Sequence, residues 1–425
     1  MEREFRLPYG RGHMTVRVPH SRLAGVLESR AHSYAPARGQ SESVNFALDN
    51  AIGSPRLEDL AEGKRRIVVI TSDHTRPVPS RVTLPILLSR LRAKNPGAEV
   101  TILIATAFHR PTTREEMALK FGEQIVGEEN IVNHDCRDRD SLVQLGILPS
   151  GAELWLNRLA VEADLLVAEG FIEPHFFAGY SGGRKSVLPG VAGEKTVLAN
   201  HCSQFIASEL SRTGVIEGNP MHLDMVEAAR RSGLAFILNV VINAEKEVIN
   251  AFAGDPVLAH ETGCRFVDSL ARVPAVPADI VVTTNGGYPL DQNIYQSVKG
   301  MTAAEASARE NAVIIIVAAC NDGHGGESFH RTFLEAADAG QVMDRIMATA
   351  QENTVADQWE SQILARILMK HQVIVVTDQC DPALITGMKM IHAGTFGEAL
   401  AMADRLKGPE ASITVIPDGV AVVVK

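Results

Sequence analysis

Seven short segments that consist mainly of apolar residues, rich in Val, Ile and Leu, alternate with longer segments of helical periodicity along most of this chain. An unbroken apolar run is typical of a parallel strand that is buried on both faces. The runs cover residues 66–71, 99–106, 164–168, 235–242, 279–284, 312–319 and 372–377. Strands that alternate with helices predict an α/β fold with mainly parallel, doubly wound, Rossmann-like sheets.

The chain has 425 residues, which exceeds one ordinary hydrophobic core, so we expect two domains. The segment 273–277 contains two prolines and lies between the fourth and fifth runs, where it predicts the boundary. We expect an N-terminal α/β domain over residues 1–272 and a smaller C-terminal α/β domain over 273–407. Residues 408–425 end in a hairpin-like pattern and are expected to rejoin the first domain. Alternation over residues 2–18 predicts another hairpin.

Charge and cysteine content exclude several classes of protein. The net charge is −10, from 41 Lys and Arg against 51 Asp and Glu, which argues against a nucleic-acid partner. The five cysteines are scattered, as is typical of reduced thiols in a cytoplasmic protein. The longest apolar stretch, residues 312–320, is too short for a bilayer, and residues 1–6 do not begin a signal peptide. We therefore expect a cytoplasmic protein that acts on a small molecule and has no membrane partner. The sequence leaves the oligomeric state open, and a homo-oligomer is one possibility.

Polar, chemically active side chains follow five of the seven apolar runs. Open parallel sheets bind their ligands beyond the carboxyl ends of the strands. With two such domains, the active site is expected in the cleft between them. The segments that follow the runs cover residues 73–77, 109–111, 173–175, 285–287 and 321–326.

His109 and His175 each follow a predicted strand within a loop that contains proline. Imidazole titrates near neutral pH, so two histidines that face one site can serve as general base and general acid. The alternative is that each is a structural histidine that caps its loop. Residue pattern alone leaves the two interpretations nearly balanced.

The glycine-rich segment 179–186 approximates a phosphate-binding P-loop, but Arg184 stands where the glycine before the lysine belongs. Ser181, Gly182 and Gly183 would let the backbone approach a ligand closely, and Lys185 follows them. That lysine can bind a phosphate or act as a nucleophilic amine. A solvated lysine in a surface turn is the simpler alternative.

Further candidates lie later in the chain. His201 is a good ligand for nickel, copper or zinc, although one histidine is a weak metal signal. Tyr295, Gln296 and Lys299 have the spacing of one helix face, and Lys299 together with Arg76 could bind a carboxylate. The alternative is a solvated polar face. Trp359, in a helical stretch over 354–370, is either a core residue or a wall over a small ligand.

At these residues the chain resembles the lactate racemase family, whose members use a nickel-pincer nucleotide. The resemblance extends over nearly the whole chain, and several of its motifs are long. It is carried by residues 72–80, 107–111, 170–190, 199–201, 284–302, 322–326 and 357–359. It implies a cofactor built from nickel and pyridinium-3,5-bisthiocarboxylic acid mononucleotide, and maturation enzymes as partners that supply it.

The resemblance also implies a role for each candidate residue. Lys185 is the covalent attachment point of the cofactor and His201 the nickel ligand, while Ser181, Gly182 and Gly183 line the cofactor. His109 and His175 are the catalytic acid/base pair. The residues implied to bind or enclose the substrate are Arg76, Lys299, Gln296, Tyr295, Asp73 and Trp359. We expect Asp73 to orient Arg76.

The implied reaction interconverts D- and L-lactate by proton-coupled hydride transfer through a 2-keto acid. The C2–H of a hydroxy acid is too weak an acid for histidine alone, so an electron acceptor is needed. Residues 214–223, with His222 and Glu217, match the lactate enzymes poorly. If they line the site, malate, phenyllactate, a short-chain aliphatic acid or a sugar acid is the alternative substrate.

Two hypotheses from other classes remain to be compared. An enzyme of nucleoside triphosphates would use the glycine-rich segment, and Arg184 argues against it. A non-catalytic carrier of nickel or of the cofactor would not need His109, His175, Arg76 and Lys299 together. The racemase hypothesis is therefore preferred.

Overall fold

The computed structural model describes the backbone of residues 1–425 and every side chain except that of His32. The strands are β1 (Glu2–Tyr9), β2 (Gly12–Pro19), β3 (Leu23–Val26), β4 (Arg66–Ser72), β5 (Glu99–Ala105), β6 (Asn130–Asn133), β7 (Leu142–Ile147), β8 (Glu153–Asn157), β9 (Leu165–Phe171), β10 (Pro174–His175), β11 (Gly179–Tyr180), β12 (Leu234–Ile242), β13 (Val248–Gly254), β14 (Arg272–Val273), β15 (Ala278–Thr284), β16 (Ala308–Val317), β17 (Gln372–Val376), β18 (Ile391–Ala393), β19 (Ile413–Ile416) and β20 (Val423–Val424).

The α-helices connect these strands. They are α1 (Gln40–Asp49), α2 (Leu57–Ala61), α3 (Ser80–Ala93), α4 (Arg114–Phe121), α5 (Glu123–Glu128), α6 (Arg158–Val161), α7 (Glu194–Asn200), α8 (Ser203–Ala207), α9 (Pro220–Arg231), α10 (Leu258–Ala271), α11 (Ile294–Glu305), α12 (Glu327–Leu334), α13 (Ala339–Met347), α14 (Gln358–Leu368), α15 (Pro382–Gly387) and α16 (Phe396–Lys407). Short 3-10 helices cover His20–Arg22, Arg30–Ser33, Arg139–Ser141, Gly183–Ser186 and Gln351–Asn353. No helix among the described residues has both the length and the apolar character needed to cross a membrane.

The chain divides into two compact units. The N-terminal unit comprises Arg30–Asn200 and Ser208–Leu270, and the C-terminal unit comprises Met1–Ser29, His201–Ala207 and Ala271–Lys425. Each unit contains one six-stranded sheet.

The sheet of the N-terminal unit has the order β13-β12-β9-β4-β5-β6. Its strands are parallel except β13, which pairs antiparallel with β12 at one edge. Ile67 and Val69 of β4 pack with Leu84 and Leu87 of α3 in one core cluster, while Val68 and Ile70 are buried on the other face of the strand. Burial on both faces explains why β4 is an unbroken apolar run.

The sheet of the C-terminal unit has the order β18-β17-β16-β15-β19-β3, and every pair is parallel. The hairpin of β1 and β2 packs its apolar face, including Leu7 and Val18, into the same core cluster as Ile280 and Val313 of the sheet. The predicted α/β class with mainly parallel sheets is confirmed, and so are the seven predicted strands and the N-terminal hairpin.

The predicted C-terminal hairpin is wrong. β19 lies inside the parallel sheet between β15 and β3, whereas β20 pairs in parallel with β14 in a separate two-stranded sheet. All four residues of β19 are buried, which suits an interior strand and not a hairpin with a solvated face. Residues 408–425 therefore belong to the C-terminal unit, and so does the N-terminal hairpin, in contrast to the expected division at residue 272.

Candidate active site

A cavity of about 130 Å³ lies in the N-terminal unit, where β4, β5 and β9 end. This is the edge of a parallel sheet at which ligands are expected. Six of the residues selected from the sequence line the cavity: Asp73, Arg76, His109, Ser181, Gly182 and Lys185.

Asp73 and His109 form a close pair at the entrance to this cavity. Nδ1 of His109 lies 2.5 Å from Oδ2 of Asp73, and Oδ1 of Asp73 accepts hydrogen bonds from the amide and hydroxyl of Thr75. The Thr75 hydroxyl in turn accepts a hydrogen bond of 2.9 Å from Arg76. Asp73 thus contacts His109 directly, and its side chain is linked to the guanidinium of Arg76 through the Thr75 hydroxyl, while the amide of Arg76 donates a 3.3 Å hydrogen bond to the carbonyl of Asp73.

The environment of Asp73 keeps its carboxylate charged. Burial raises the pKa of Asp73, but the hydrogen bond and charge of His109, together with the charge of Arg76, hold it well below its ordinary value. A carboxylate at Nδ1 fixes the ring proton there, which leaves Nε2 free to accept a proton. This geometry is compatible with a general base at His109.

Lys185 and His175 lie side by side. Nζ of Lys185 is 3.0 Å from Nε2 of His175, and the ammonium lies over the ring of Phe177 at 5.6 Å. Nδ1 of His175 accepts a hydrogen bond of 3.3 Å from the amide of Ala178. The two histidines therefore differ at Nδ1, since His109 faces a carboxylate and His175 faces an amide N–H.

The backbone before Lys185 is fixed by close protein packing. Gly182 has φ +77, and a Cβ there would lie 2.7 Å from Oδ1 of Asn239 and 2.9 Å from the carbonyl of Phe171. Gly183 donates its amide to the same Asn239 oxygen and packs against His260. Glycine is needed at 182 and 183 because protein atoms approach them there.

The buried side chain of Arg184 also stabilises this loop. Its side chain is 2% exposed and donates 2.7 Å hydrogen bonds to the carbonyls of Ala178 and Tyr180. Its Nε donates to Nδ1 of His222, and burial and the Arg184 charge lower the pKa of His222 to about 3. Arg184, which departs from the P-loop pattern, thus stabilises the conformation of the loop. The loop forms the 3-10 helix Gly183–Ser186, too short for a phosphate-binding helix N-terminus.

Two charged residues at or near this site, Lys120 and Glu169, were missed by sequence reasoning. Lys120 of α4 donates a 2.8 Å hydrogen bond to the carbonyl of Arg76, and burial lowers its pKa to about 8. Glu169 of β9 lines the cavity and accepts hydrogen bonds from the hydroxyls of Thr71, Ser80 and Thr83. A glutamate inside an otherwise apolar strand was the signal that could have revealed this network.

The C-terminal unit gathers a second set of candidates on α11 and α14. Asn293 caps α11 and starts the helix that carries Tyr295, Gln296 and Lys299. Nζ of Lys299 donates to Oε1 of Gln296 at 2.7 Å, and Nε1 of Trp359 donates to the Tyr295 hydroxyl at 3.1 Å. The predicted helical spacing is confirmed.

His201 belongs to the same set. It is 5% exposed, and its ring centroid lies 4.8 Å from that of Trp359. Asp357, with φ +66, begins the turn that presents Trp359 at the start of α14.

Comparisons with known proteins show the family to which the chain belongs. The model of the lactate racemase N-terminal domain matches residues 9–214, and that of the lactate racemase C-terminal domain matches residues 273–424. A lactate racemase from Thermoanaerobacterium thermosaccharolyticum is 56% identical over 419 residues, which are 99% of this chain and 98% of that protein. One from Lactiplantibacillus plantarum is 52% identical over 419 residues, 99% of each protein.

Solved structures show that the fold is shared as well. The lactate racemase apoprotein from T. thermosaccharolyticum superposes with a TM-score of 0.97 at 55% identity, and all of both chains is covered. A Thermotoga maritima protein shares the fold at 18% identity with a TM-score of 0.66, covering 92% of this chain and all of that one. With two family models and two relatives above 50% identity over nearly its full length, this chain belongs to the lactate racemase family and is an isomerase.

Proposed function

We propose that this enzyme interconverts D- and L-lactate through a 2-keto acid intermediate, with His109 and His175 as the acid/base pair. The observation that carries the proposal is the cavity lined by His109, which is paired with Asp73, and by Lys185, whose amine lies 3.0 Å from Nε2 of His175. A small 2-hydroxy acid needs a proton acceptor for its hydroxyl and cations for its carboxylate. Arg76 and Lys299 are the proposed cations.

Lactate is preferred to a larger acid for two reasons. Two relatives above 50% identity are lactate racemases. In addition, residues 214–223 do not line the described cavity; His222 supports Arg184, and Glu217 is exposed. Malate, phenyllactate, a short-chain aliphatic acid and a sugar acid remain the alternatives to test.

The residues present fit the cofactor that the family resemblance implies. Among the described side chains, no group of three or more from His, Cys, Asp and Glu is placed to hold a metal ion. Lys185 offers the amine for covalent attachment and His201 the single imidazole ligand. Ser72 also lines the cavity, and its buried Oγ has no hydrogen-bond partner among the described residues, which suits a polar ligand.

The chain's own residues would hold the substrate and move its protons. His109, oriented by Asp73, would take the hydroxyl proton of one enantiomer at Nε2, and His175 would do so for the other. Arg76 would bind the carboxylate, and its backbone is held by Lys120. Tyr295, Gln296 and Trp359 are the proposed walls of the substrate site. When bound, the nickel-pincer nucleotide would supply the acceptor for the C2 hydride.

Intact-mass spectrometry with a chiral assay tests the proposal. We expect protein co-produced with the maturation enzymes to carry one adduct of several hundred daltons and one nickel, and to racemise lactate. Lys185→Met should lose the adduct, the nickel and the activity. Lys195→Met, which changes an exposed lysine nearby in the sequence, should retain all three. Active protein without an adduct would overturn the cofactor assignment, and loaded protein that racemises only another acid would overturn lactate.

A further inference from the structure

Thr75 lies between Asp73 and Arg76 in the turn that follows β4, and the proposed chemistry gives it no role. The turn is closed by hydrogen bonds, since the amide of Arg76 donates to the carbonyl of Asp73 at 3.3 Å and the amide of Thr75 donates to Oδ1 of Asp73 at 3.0 Å. From α4, Lys120 donates a 2.8 Å hydrogen bond to the carbonyl of Arg76. The backbone that carries the Thr75 side chain is therefore well fixed.

The Thr75 hydroxyl lies between two charged groups. Its oxygen is 2.6 Å from Oδ1 of Asp73 and 2.9 Å from Nη1 of Arg76. A guanidinium can only donate, so the hydroxyl accepts from Arg76 and gives its own proton to Asp73. Nδ1 of His109 lies farther from this hydroxyl, at 3.4 Å, and is 2.5 Å from Oδ2 of Asp73. The hydroxyl therefore joins Arg76 to the carboxylate that is paired with His109.

The guanidinium of Arg76 keeps one edge for a ligand. In the described part of the chain, its hydrogen-bond acceptors are the hydroxyl of Thr75 and, at 3.5 Å, the carbonyl of Thr75, and both accept from Nη1. The edge formed by Nε and Nη2 has no such acceptor. Two N–H groups on one edge of a guanidinium match a carboxylate, and Arg76 lines the cavity. Thr75 thus contacts the part of Arg76 that a substrate carboxylate does not need.

We infer that Thr75 is a positioning residue that holds the Arg76 guanidinium at a fixed distance from His109, and that it thereby selects acids whose hydroxyl is on the carbon next to the carboxylate. The inference rests on the proposed function, in which Arg76 binds the carboxylate and His109 accepts the hydroxyl proton. Both groups are tied to the same Asp73 side chain. Their spacing is therefore set by the protein and does not adapt to a hydroxyl that lies one carbon further away.

Thr75→Val tests the hydroxyl, because valine keeps the branched shape of the side chain. In this variant Asp73 keeps its contact with His109 and the amide of residue 75, whereas Arg76 loses its 2.9 Å partner. We expect KM for lactate to rise about 5- to 20-fold, with a change of less than about threefold in kcat. Steady-state kinetics of the cofactor-loaded enzyme measures both constants, and intact mass gives the fraction of protein that carries the adduct.

Two variants serve as controls. Thr75→Ser keeps the hydroxyl and should restore the wild-type KM. Thr262→Val removes a hydroxyl with matching contacts on α10, where it accepts a 2.9 Å hydrogen bond from Arg265 and donates to the carbonyl of Leu258; its kinetics should equal those of wild type. A merely structural role for Thr75 would lower the loaded fraction and leave KM of the loaded enzyme unchanged. An unchanged KM in Thr75→Val, or an equal rise in Thr75→Val and Thr75→Ser, would overturn the inference.

A second measurement uses the wild-type enzyme and so does not depend on how a variant folds. The probes are 2-hydroxyisobutyrate, which has no C2 hydrogen and cannot react, and its isomer 3-hydroxyisobutyrate, whose hydroxyl lies one carbon further from the carboxylate. Calorimetry of loaded wild type should show at least about tenfold tighter binding of 2-hydroxyisobutyrate. The preference should shrink in Thr75→Val and persist in Thr75→Ser and Thr262→Val. Equal affinity of wild type for the two isomers would refute a fixed spacing.

The two proposals fail in different ways. Loaded wild type that does not racemise lactate or bind 2-hydroxyisobutyrate would overturn the proposed function and, with it, this inference. Loaded wild type that racemises lactate, beside a Thr75→Val variant with the same KM and the same preference between the isomers, would overturn the role of Thr75 alone.

Discussion

Asp73 and His109 are joined at 2.5 Å, carboxylate to ring nitrogen, although 36 positions separate them in the chain. Asp73→Asn keeps the shape of this side chain and removes its charge. We expect kcat for racemisation to fall about 100-fold or more, since the imidazolium formed on proton transfer loses its counter-charge, while KM changes little. Steady-state kinetics of loaded enzyme in both directions measures this. Asp135→Asn, at an exposed loop residue, is the control, and unchanged kcat in Asp73→Asn would refute the role.

Gly182 is a position where one methyl group should disturb the cofactor loop. Gly182→Ala adds a Cβ that would lie 2.7 Å from Asn239 Oδ1, at a φ of +77 that alanine avoids. We expect a loss of about 1–3 kcal/mol in the free energy of unfolding and a reduced adduct on Lys185. Urea denaturation and intact mass give the two readings. Gly97→Ala, where no atom lies within 4 Å of the new Cβ, should behave as wild type.

Lys120 should make stability depend on pH in the alkaline range. Its pKa is about 8 in the folded protein against an ordinary 10.5, so the unfolded chain binds more protons between these values. The contribution of Lys120 to stability therefore increases as pH rises through this window. We expect the stability of wild type relative to Lys120→Met to increase by about 1–3 kcal/mol between pH 7 and 10. Denaturant titrations at each pH test this, with Lys195→Met as the exposed control; a constant difference would contradict it.

Thr83 provides a test of the buried network around Glu169. Its hydroxyl donates to Glu169, and the side chain is completely buried. Thr83→Val removes the donor and should cost about 1–3 kcal/mol, because a buried carboxylate oxygen loses a partner. Thr83→Ser keeps the hydroxyl and loses a methyl group, at about 1 kcal/mol. Hydrophobic burial alone predicts the opposite order of stability for the two variants, so their ranking in urea decides between the explanations.

The parallel strands were predictable because burial on both faces leaves a direct mark, an unbroken apolar run, as in β4 and β16. The candidate residues were predictable because parallel strands bring their carboxyl ends to one edge. The family resemblance implies the roles proposed for Lys185 and His201, which the residue pattern alone leaves open.

What the sequence did not reveal depends on contacts between distant residues. The Asp73–His109 pair and the partners of Glu169 come from separate strands and helices, and no local periodicity records which side chains will meet. Lys120 lies on a short helix whose sequence is typical of a solvated surface, yet its ammonium donates a hydrogen bond to the backbone carbonyl of Arg76. β19 and β20 were misassigned as a hairpin because two short apolar segments joined by a turn do not show that each pairs with a different sheet.

The unequal surroundings of His109 and His175 have a kinetic consequence. Racemisation in water has an equilibrium constant of unity. The ratio kcat/KM must therefore be the same for the two enantiomers, regardless of the structure of the site. The proposed acid/base histidines have different neighbours, since His109 lies beside a carboxylate and His175 beside an amide. Such a site is not expected to have the same kcat and KM for the two enantiomers. Any asymmetry must therefore appear as matched differences, in which the enantiomer with the higher kcat has a proportionally higher KM.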